Sequence, residues 1–142
     1  MSDRPKVLLD TNVLVSGVLG SPLCRRILHL CNAQEILLVS SRPLINEFLD
    51  VIARPKCSHL VDHETLKLLM RIMEFQALLV QPTVVVRDAP DPKDAIVLEA
   101  LRTSHAEVLV TSDRQLLALR SYAEATVLPP NQFLSWIERR LP

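Results

Sequence analysis

The stretches VLLDTN (residues 7–12) and VLVTSD (residues 108–113) decide the fold. Each begins with a short continuous apolar run, which is typical of a strand covered on both faces, and each ends in an aspartate. The carboxyl ends of parallel strands lie at one edge of a sheet, and ligands bind beyond that edge. Asp10 and Asp113 therefore project toward one site if their two strands are neighbours.

The rest of the chain alternates between short apolar strands and helical patterns. Besides strands at 7–9 and 107–110, we expect strands at 36–39, 83–86 and 126–128. The predicted helices run over 22–33, from 43 to before Pro55, from 62 to about 79, from 92 onward, over 113–119 and over 131–139. Such alternation implies βαβ units. We therefore predict a single α/β/α sandwich with a mostly parallel sheet of about five strands, in one domain spanning residues 1–142.

The composition removes several classes of protein. Gly17 and Gly20 are the only glycines among 142 residues, whereas P-loops, dinucleotide-binding turns and serine nucleophile elbows need glycines at spacings that this pair does not provide. Sixteen basic residues balance sixteen acidic ones, so no bulk positive charge indicates nucleic-acid or membrane binding. The three cysteines form no C-x-x-C pair and are expected to be buried thiols in a reducing cytosol. Because no apolar run is long enough to span a membrane, we expect a cytoplasmic protein with no membrane partner.

Two further acids are candidates for the same edge of the sheet. Asp94 lies in the first turn of the helix after the predicted third strand, and Glu47 lies on the flank of the helix after the second strand. Each acid alone also has a structural interpretation, because Asp91 and Asp113 are good helix caps, Asp94 is a favourable first-turn charge and Glu47 could be solvated. Four carboxylates within about 4–6 Å would repel by several kcal/mol per close pair unless a cation lay among them. Oxygen ligands without His or Cys favour Mg²⁺ or Mn²⁺.

Four stretches resemble, in order, the successive motifs of the PIN domain family. They are VLLDTNVLVSGVL (7–19), SSRPLINEFLDVIARPK (40–56), DAPDPKDAIVLEAL (88–101) and VLVTSDRQLL (108–117). The closing stretch LPPNQFLSWI (128–137) is similar to the family's last strand and helix. The chain most resembles the PIN proteins of bacterial and archaeal toxin–antitoxin systems. The resemblance covers nearly the whole sequence and implies a parallel sheet with the strand order 3-2-1-4-5.

The resemblance also implies a metal-dependent ribonuclease whose acidic quartet holds one or two Mg²⁺ or Mn²⁺ ions. Position by position, that quartet falls on the catalytic and metal-binding candidates Asp10, Glu47, Asp94 and Asp113. Many relatives have a second acid directly after the third ligand, whereas this chain has Ala95 there. The substitution removes one outer carboxylate, which would weaken binding of a second ion.

Supporting roles are implied for residues beside the quartet. Asn12 matches the DTN motif and Thr111 matches the hydroxyl residue before the last acid, so both are expected to hold the rotamers of metal ligands. Three cations lie beside the motifs, Arg42, Lys93 and Arg114, and are candidates for binding substrate phosphates. Each of the three could equally be an ordinary solvated surface residue.

The leading hypothesis is an endoribonuclease that hydrolyses RNA, in its finer form the toxin of a type II toxin–antitoxin pair with a cognate antitoxin as partner. The alternative is a catalytically weak PIN-like module that binds RNA or a protein, since fold does not dictate function. A small phosphatase or receiver domain is disfavoured because no lysine follows the last apolar strand. A homodimer is expected because the helices around 66–79 and 133–137 carry more apolar residues than one sheet face needs.

Overall fold

A central sheet of six strands organises the part of the chain that the computed structural model describes, residues 4–140. Its strands are β1 (Lys6–Leu9), β2 (Leu37–Ser41), β3 (Leu78–Val80), β4 (Val108–Val110), β5 (Ser121–Tyr122) and β6 (Ala125–Leu128). Across the sheet they lie in the order β3-β2-β1-β4-β6-β5, and all neighbours are parallel except β5 and β6. The five parallel strands therefore follow the expected 3-2-1-4-5 order, and β5 adds a short antiparallel edge.

Helices cover both faces of this sheet, and the predicted α/β/α sandwich is confirmed. The described range holds eight α-helices and one turn of 3₁₀-helix at Pro92–Asp94. The α-helices are α1 (Thr11–Val18), α2 (Pro22–Asn32), α3 (Arg42–Ile52), α4 (Pro55–Ser58), α5 (His63–Phe75), α6 (Ala95–Ser104), α7 (Arg114–Leu117) and α8 (Pro130–Glu138). No single helix between residues 4 and 140 is long and apolar enough to cross a membrane; α1 and α2 together have that length and composition but are bent by 102° at their break.

The central strands divide the apolar core into two halves. Val7 and Leu9 of β1 lie in the core beneath α1, α2, α5 and α8, whereas Leu8 lies in the core beneath α6 and α7. All three side chains are completely buried, because successive residues of a strand point to opposite faces of the sheet. Burial of each such side chain contributes about 1.5–3 kcal/mol, so the unbroken apolar runs fix the middle of the sheet.

The third strand lies earlier in the chain than the sequence indicates. The predicted strand at 83–86 is wrong, since β3 is Leu78–Val80, which pairs with β2, and no regular structure occurs over 81–91. The predicted helix from 62 to about 79 instead ends at Phe75, because the backbone N–H groups of Gln76 and Ala77 both donate to the carbonyl of Ile72. In segment 81–91, Val86 donates its backbone N–H to the Glu99 carboxylate of α6 at 3.0 Å, a bond that takes the place of a strand pairing.

Two helices and one strand were not predicted. Helix α1 starts directly at the end of β1 and buries Val13, Leu14 and Val18 against the sheet. Its apolar sequence resembles a continuation of the strand, and only the Asp10 cap marks the change to helical structure. Helix α4 and strand β5 are too short, at four and two residues, to show a periodic pattern.

Apolar side chains of the two helices that suggested a dimer are partly accounted for within one chain. In α8, Phe133, Leu134 and Ile137 are buried in the chain's own core. Beyond the buried side of α5, Phe75 is 74% exposed and Leu79 of β3 is 43% exposed. The α8 part of the reasoning for a dimer is therefore wrong, and the apolar surface that remains lies around the end of α5 and the edge strand β3.

The hairpin between β5 and β6 carries a backbone conformation that its residues do not favour. Ala123 and Glu124 connect the two strands with φ of 50° and 79°, as in a type I′ turn, which favours Asn-Gly. The double substitution Ala123→Asn/Glu124→Gly should raise the free energy of unfolding by about 1 kcal/mol or more, because left-handed backbone costs about 1–2 kcal/mol at a residue with a Cβ atom. Urea denaturation measures the change, and a decrease in stability would contradict the turn assignment.

Candidate active site

A cleft of about 580 Å³ lies at the carboxyl ends of β1 and β4. Acidic side chains dominate its lining, together with two cations and a few small or apolar residues from α1 and α3. The carboxylates that line it are Asp10, Glu47, Asp91, Asp94 and Asp113. The structure therefore brings all four predicted catalytic acids to one cleft, and adds Asp91 to them.

Asp10 lies at the point where β1 becomes α1. Its side chain is 7% exposed and accepts two hydrogen bonds, from the Thr11 backbone N–H to Oδ1 at 2.8 Å and from the Thr111 hydroxyl to Oδ2 at 2.7 Å. The backbone N–H of Asp10 donates to the carbonyl of Val110 at 3.0 Å, continuing the parallel ladder of β1 and β4. The carboxylate is therefore held on both oxygens and from both strands.

Thr111 joins three parts of the site and is completely buried. Its hydroxyl donates to Asp10 and accepts the backbone N–H of Asp113 at 3.0 Å, and its own backbone N–H donates to the carbonyl of Leu128 at 3.0 Å. One side chain thus ties the end of β1 to the loop after β4. Its backbone ties the same loop to β6.

Asp113 and Asn12 stabilise the loop between β4 and α7. Asp113 caps α7, since its Oδ1 accepts the backbone N–H groups of Gln115 at 2.8 Å and Leu116 at 3.4 Å. The side-chain oxygen of Asn12 accepts the backbone N–H of Ser112 at 3.4 Å. Asn12 therefore contacts the backbone next to Asp113, and the role expected for it, holding the rotamer of a metal ligand, stays a prediction.

Asp94 has a carboxylate oxygen that is both buried and unpartnered. The residue is 6% exposed, and its Oδ2 is buried with no hydrogen-bond partner among residues 4–140. Asp91 precedes it by one turn and caps that turn, accepting the backbone N–H of Lys93 on Oδ1 at 3.0 Å. The two acids of this motif therefore differ as their positions predict: the first is occupied with the backbone, and the second extends into the cleft.

Burial and mutual repulsion make the cluster electrostatically unfavourable when it is fully ionised. Burial is the largest effect that raises the pKa of Asp94, to about 6, and the negative charges of Asp113, Asp10 and Asp91 raise it further. Burial likewise raises the pKa of Asp10, where the hydrogen bonds from Thr111 and Thr11 counteract part of the effect and the Glu47 and Asp113 charges add to it. A bound cation would relieve this repulsion.

Helix α3 contributes one wall of the cleft. Glu47, Val51 and Arg54 all line it, since residues spaced by four and seven positions lie on one face of a helix. Sequence reasoning missed Arg54, although its spacing from Glu47 could have identified it. It lies just beyond the end of α3, is exposed, and has no ion-pair partner among residues 4–140.

The predicted phosphate-binding cations are not equally placed. Lys93 lines the cleft, in the 3₁₀ turn before Asp94. Arg42 and Arg114 are exposed first residues of α3 and α7, and neither lines it. The cations that line the cleft are therefore Lys93, in the turn before Asp94, and Arg54, just beyond the end of α3.

No three His, Cys, Asp or Glu side chains within residues 4–140 are grouped closely enough to hold a metal ion as they stand. The hydrogen bonds explain part of this arrangement, because Asp10 and Asp113 direct oxygens to backbone groups at helix starts. The donor set nevertheless has the right chemistry for a hard cation, since it consists of oxygens and includes the unpartnered Oδ2 of Asp94. The complete four-ligand set remains a prediction.

The raised pKa of Asp94 predicts how stability depends on pH. With a pKa of about 6 in the folded chain and 3.8 as its ordinary value, the folded state binds more protons between these limits, so the free energy of unfolding falls as pH rises through them. Asp94→Asn should remove most of this fall and make the protein more stable than wild type above about pH 6. Urea denaturation in a chelator, repeated across this range, measures both effects.

Asp91→Ala is the matched control for this measurement. It should lose about 0.5–2 kcal/mol because it removes a helix cap, and it should keep most of the pH dependence, because burial and not the Asp91 charge is the largest cause of the raised pKa of Asp94. An Asp94→Asn protein that is less stable than wild type near neutral pH would show that the buried carboxylate is not a source of repulsion.

The fold and the cleft can now be compared with known proteins. The PIN domain family model matches residues 6–115, which include every predicted site residue. The crystal structure of PAE2754 from Pyrobaculum aerophilum is similar with a TM-score of 0.64 and 20% sequence identity, over 95% of this chain and 90% of that one. At this identity the similarity shows the fold alone, and no curated protein matches the chain. The family match over most of the sequence shows that the chain belongs to the PIN domain family, whose members are generally nucleases.

Proposed function

We propose that the chain is a divalent-metal-dependent endoribonuclease that hydrolyses RNA phosphodiester bonds. The observation that carries the proposal is the buried Oδ2 of Asp94, which has no hydrogen-bond partner and lies in a cleft lined by four other carboxylates. An unpaired buried carboxylate oxygen is costly, and the Asp94 side chain makes no capping hydrogen bond to α6. A cation that neutralises the acids explains why the fold keeps them together.

The cation proposed is Mg²⁺ or Mn²⁺, and Asp10, Glu47, Asp94 and Asp113 would hold it. All four offer carboxylate oxygens, the ligands that these hard ions prefer. When bound, such an ion supplies a coordinated water of lowered pKa and neutralises charge on the phosphate. Thr111 and Asn12 would keep Asp10 and the Asp113 loop in place, because each already hydrogen-bonds to one of them.

Glu47 is the proposed proton acceptor. It is half-buried on the α3 wall of the cleft, and among residues 4–140 it makes no hydrogen bond or ion pair. In hydrolysis, the water oxygen forms a bond to phosphorus, the bond from phosphorus to the leaving ribose oxygen breaks, and a water proton passes to a Glu47 Oε atom. The leaving oxygen then takes a proton from solvent and Glu47 releases the water proton to solvent, so that protons and charge balance over the turnover.

Arg54 and Lys93, the two cations that line the cleft, would bind phosphates of the RNA backbone. Their positive charges attract phosphates into a cleft that the carboxylates alone would repel. The choice of RNA over DNA rests on the resemblance to PIN ribonucleases. The finer role of a type II toxin rests on the same resemblance, and a small neighbouring open reading frame that encodes an antitoxin would support it.

The nuclease proposal predicts metal-dependent cleavage that needs Asp94. Purified protein with Mn²⁺ or Mg²⁺ should cut single-stranded RNA, a chelator should stop the reaction, and Asp94→Asn should lower kcat/KM by about 10²-fold or more. Asp88→Asn, which changes an exposed acid outside the cleft, should leave the rate unchanged. Electrophoresis of end-labelled RNA measures cleavage by the wild-type protein with the ion, by the wild-type protein with a chelator, by Asp94→Asn and by Asp88→Asn.

A different outcome would favour the alternative function of a binding module without catalysis. That alternative gains support from the hydrogen bonds that already occupy Asp10 and Asp113. It would be correct if the wild-type protein bound RNA or a protein partner but left a panel of structured and unstructured RNAs intact with either ion.

The proposed role of Arg54 can be tested separately from the metal. Arg54→Gln should raise KM for single-stranded RNA and lower the slope of log affinity against log salt by about 0.7, the value for one phosphate contact. Arg71→Gln, an exposed arginine on α5 outside the cleft, is the matched control and should change neither quantity. An unchanged salt slope for Arg54→Gln would exclude a phosphate contact there.

A further inference from the structure

A groove runs around the free edge of the sheet beside the candidate active site. Strand β5 pairs with β6 at Thr126 and Ala125, and Val127 donates its backbone N–H to Arg120, so within residues 4–140 the outer edge of β6 has no strand partner beyond Val127. Two adjoining depressions, of about 530 Å³ and about 210 Å³, lie there and share Leu128 and Gln132 in their linings. We call the two depressions together the edge groove, which is formed by the end of β6, the start of α8 and the residues after α7.

The charge of the edge groove is opposite to that of the catalytic cleft. Neither depression is lined by a carboxylate, whereas both arginines in the lining, Arg120 and Arg139, are exposed. Neither guanidinium has an ion-pair partner within residues 4–140. The exposed amides of Asn131 and Gln132 add hydrogen-bond donors and acceptors. In a chain of net charge zero, this absence of acids makes a local surface that suits phosphates.

The neighbouring arginine shows that pairing on this surface is selective. Arg140 forms an ion pair with Glu107 at 3.7 Å and lies over the Trp136 ring at 4.6 Å from its centroid. Arg139 directly follows α8 and has no ion-pair partner within residues 4–140. The ring of Trp136, which also stacks on Phe133 at 5.8 Å, forms a fixed wall of the groove.

The backbone on the other side of the groove is also fixed. Arg120 donates its backbone N–H to the carbonyl of Leu117 at 3.1 Å and accepts the backbone N–H of Val127 at 2.9 Å. Its Cα atom is therefore anchored to both α7 and β6. A guanidinium on an anchored backbone loses less conformational freedom when it binds a phosphate than one on a loose loop.

The Leu128 end of the edge groove lies at the same end of the sheet as the acids, whereas Arg139 lies toward the opposite end, since α8 runs back from β6 and the adjacent Arg140 pairs with Glu107 just before β4. The carbonyl of Leu128 in the groove accepts the backbone N–H of Thr111, whose hydroxyl donates to Asp10. Strand β6 is two strands from β1, and two strand spacings amount to about 10 Å. A single strand of RNA that leaves the cleft would therefore reach the Leu128 end of the groove first and Arg139 only after it continues along α8.

We propose that the edge groove binds the phosphates of the RNA strand that continues out of the catalytic cleft. Arg120 and Arg139 would pair with those phosphates. This inference rests on the proposed ribonuclease function and extends it from the bond that is cut to the flanking strand. Longer RNAs would use both surfaces, whereas short ones would fill the cleft alone. The charge of the groove gives affinity for the backbone without preference for a base.

The test compares RNA length with the loss of the two arginines. Cleavage of single-stranded RNAs of about 4 and about 12 nucleotides, lengths within the range of single-strand binding sites, is followed with Mn²⁺. In Arg120→Gln/Arg139→Gln, KM for the longer RNA should rise several-fold while its kcat and both constants for the shorter RNA stay unchanged. The salt slope of affinity for the longer RNA, measured in a chelator, should fall by about 1.4 for two phosphate contacts.

The matched control is Arg71→Gln/Arg102→Gln, which removes two exposed arginines from α5 and α6, and it should behave as wild type. If the groove variant bound and cut the longer RNA as wild type does, the proposal would be wrong and the ribonuclease function would stand. An equal rise in KM for both lengths would also overturn it, because the effect would then belong to the cleft. Wild-type protein that neither binds nor cuts either RNA would instead refute the proposed function itself.

Discussion

The hydrogen bond from the Thr111 hydroxyl to Asp10 is the contact on which the arrangement of the site depends. The same hydroxyl accepts the backbone N–H of Asp113, so one buried oxygen sets the spacing between the first and last acids of the motif series. Both partners lie just beyond paired strands whose apolar residues are completely buried. Removal of this hydroxyl would leave a buried carboxylate with one hydrogen bond fewer, and such groups are costly in a low-dielectric interior.

The site brings several carboxylates together, and their mutual repulsion is unfavourable unless something compensates it. Asp10 and Asp113 lie at the starts of α1 and α7, where unpaired backbone N–H groups partly compensate a carboxylate. Asp94 has no comparable partner for Oδ2, and burial is the main cause of its raised pKa. The fold therefore retains one acid in an unfavourable state, a pattern that is common at functional sites and uncommon in purely structural positions.

The sequence predicts those elements that are fully buried or that have clear residues marking their start and end. The runs before Asp10 and Asp113 identify β1 and β4 because burial on both faces requires continuous apolar residues. Placement of β3 fails because Leu78–Val80 and Thr83–Val86 are both apolar or β-branched, and the choice between them is made by a distant bond from Val86 to Glu99. Arg54 was missed because an exposed arginine has no apolar pattern of its own, and only its spacing of seven residues from Glu47 connects it with the cleft.

The distribution of charge also explains how a chain with no net charge can be suited to a polyanion. Five carboxylates line the cleft, where a divalent ion would offset them, and Arg54 and Lys93 lie in the same cleft. Arg120 and Arg139 then face a groove without acids. Since screening limits exposed charges to a range of about 8–10 Å at physiological salt, an RNA strand responds to each of these patches in turn and not to the sum over the protein. The fold therefore determines where acidic and basic side chains lie along the sheet, although the net charge of the chain is zero.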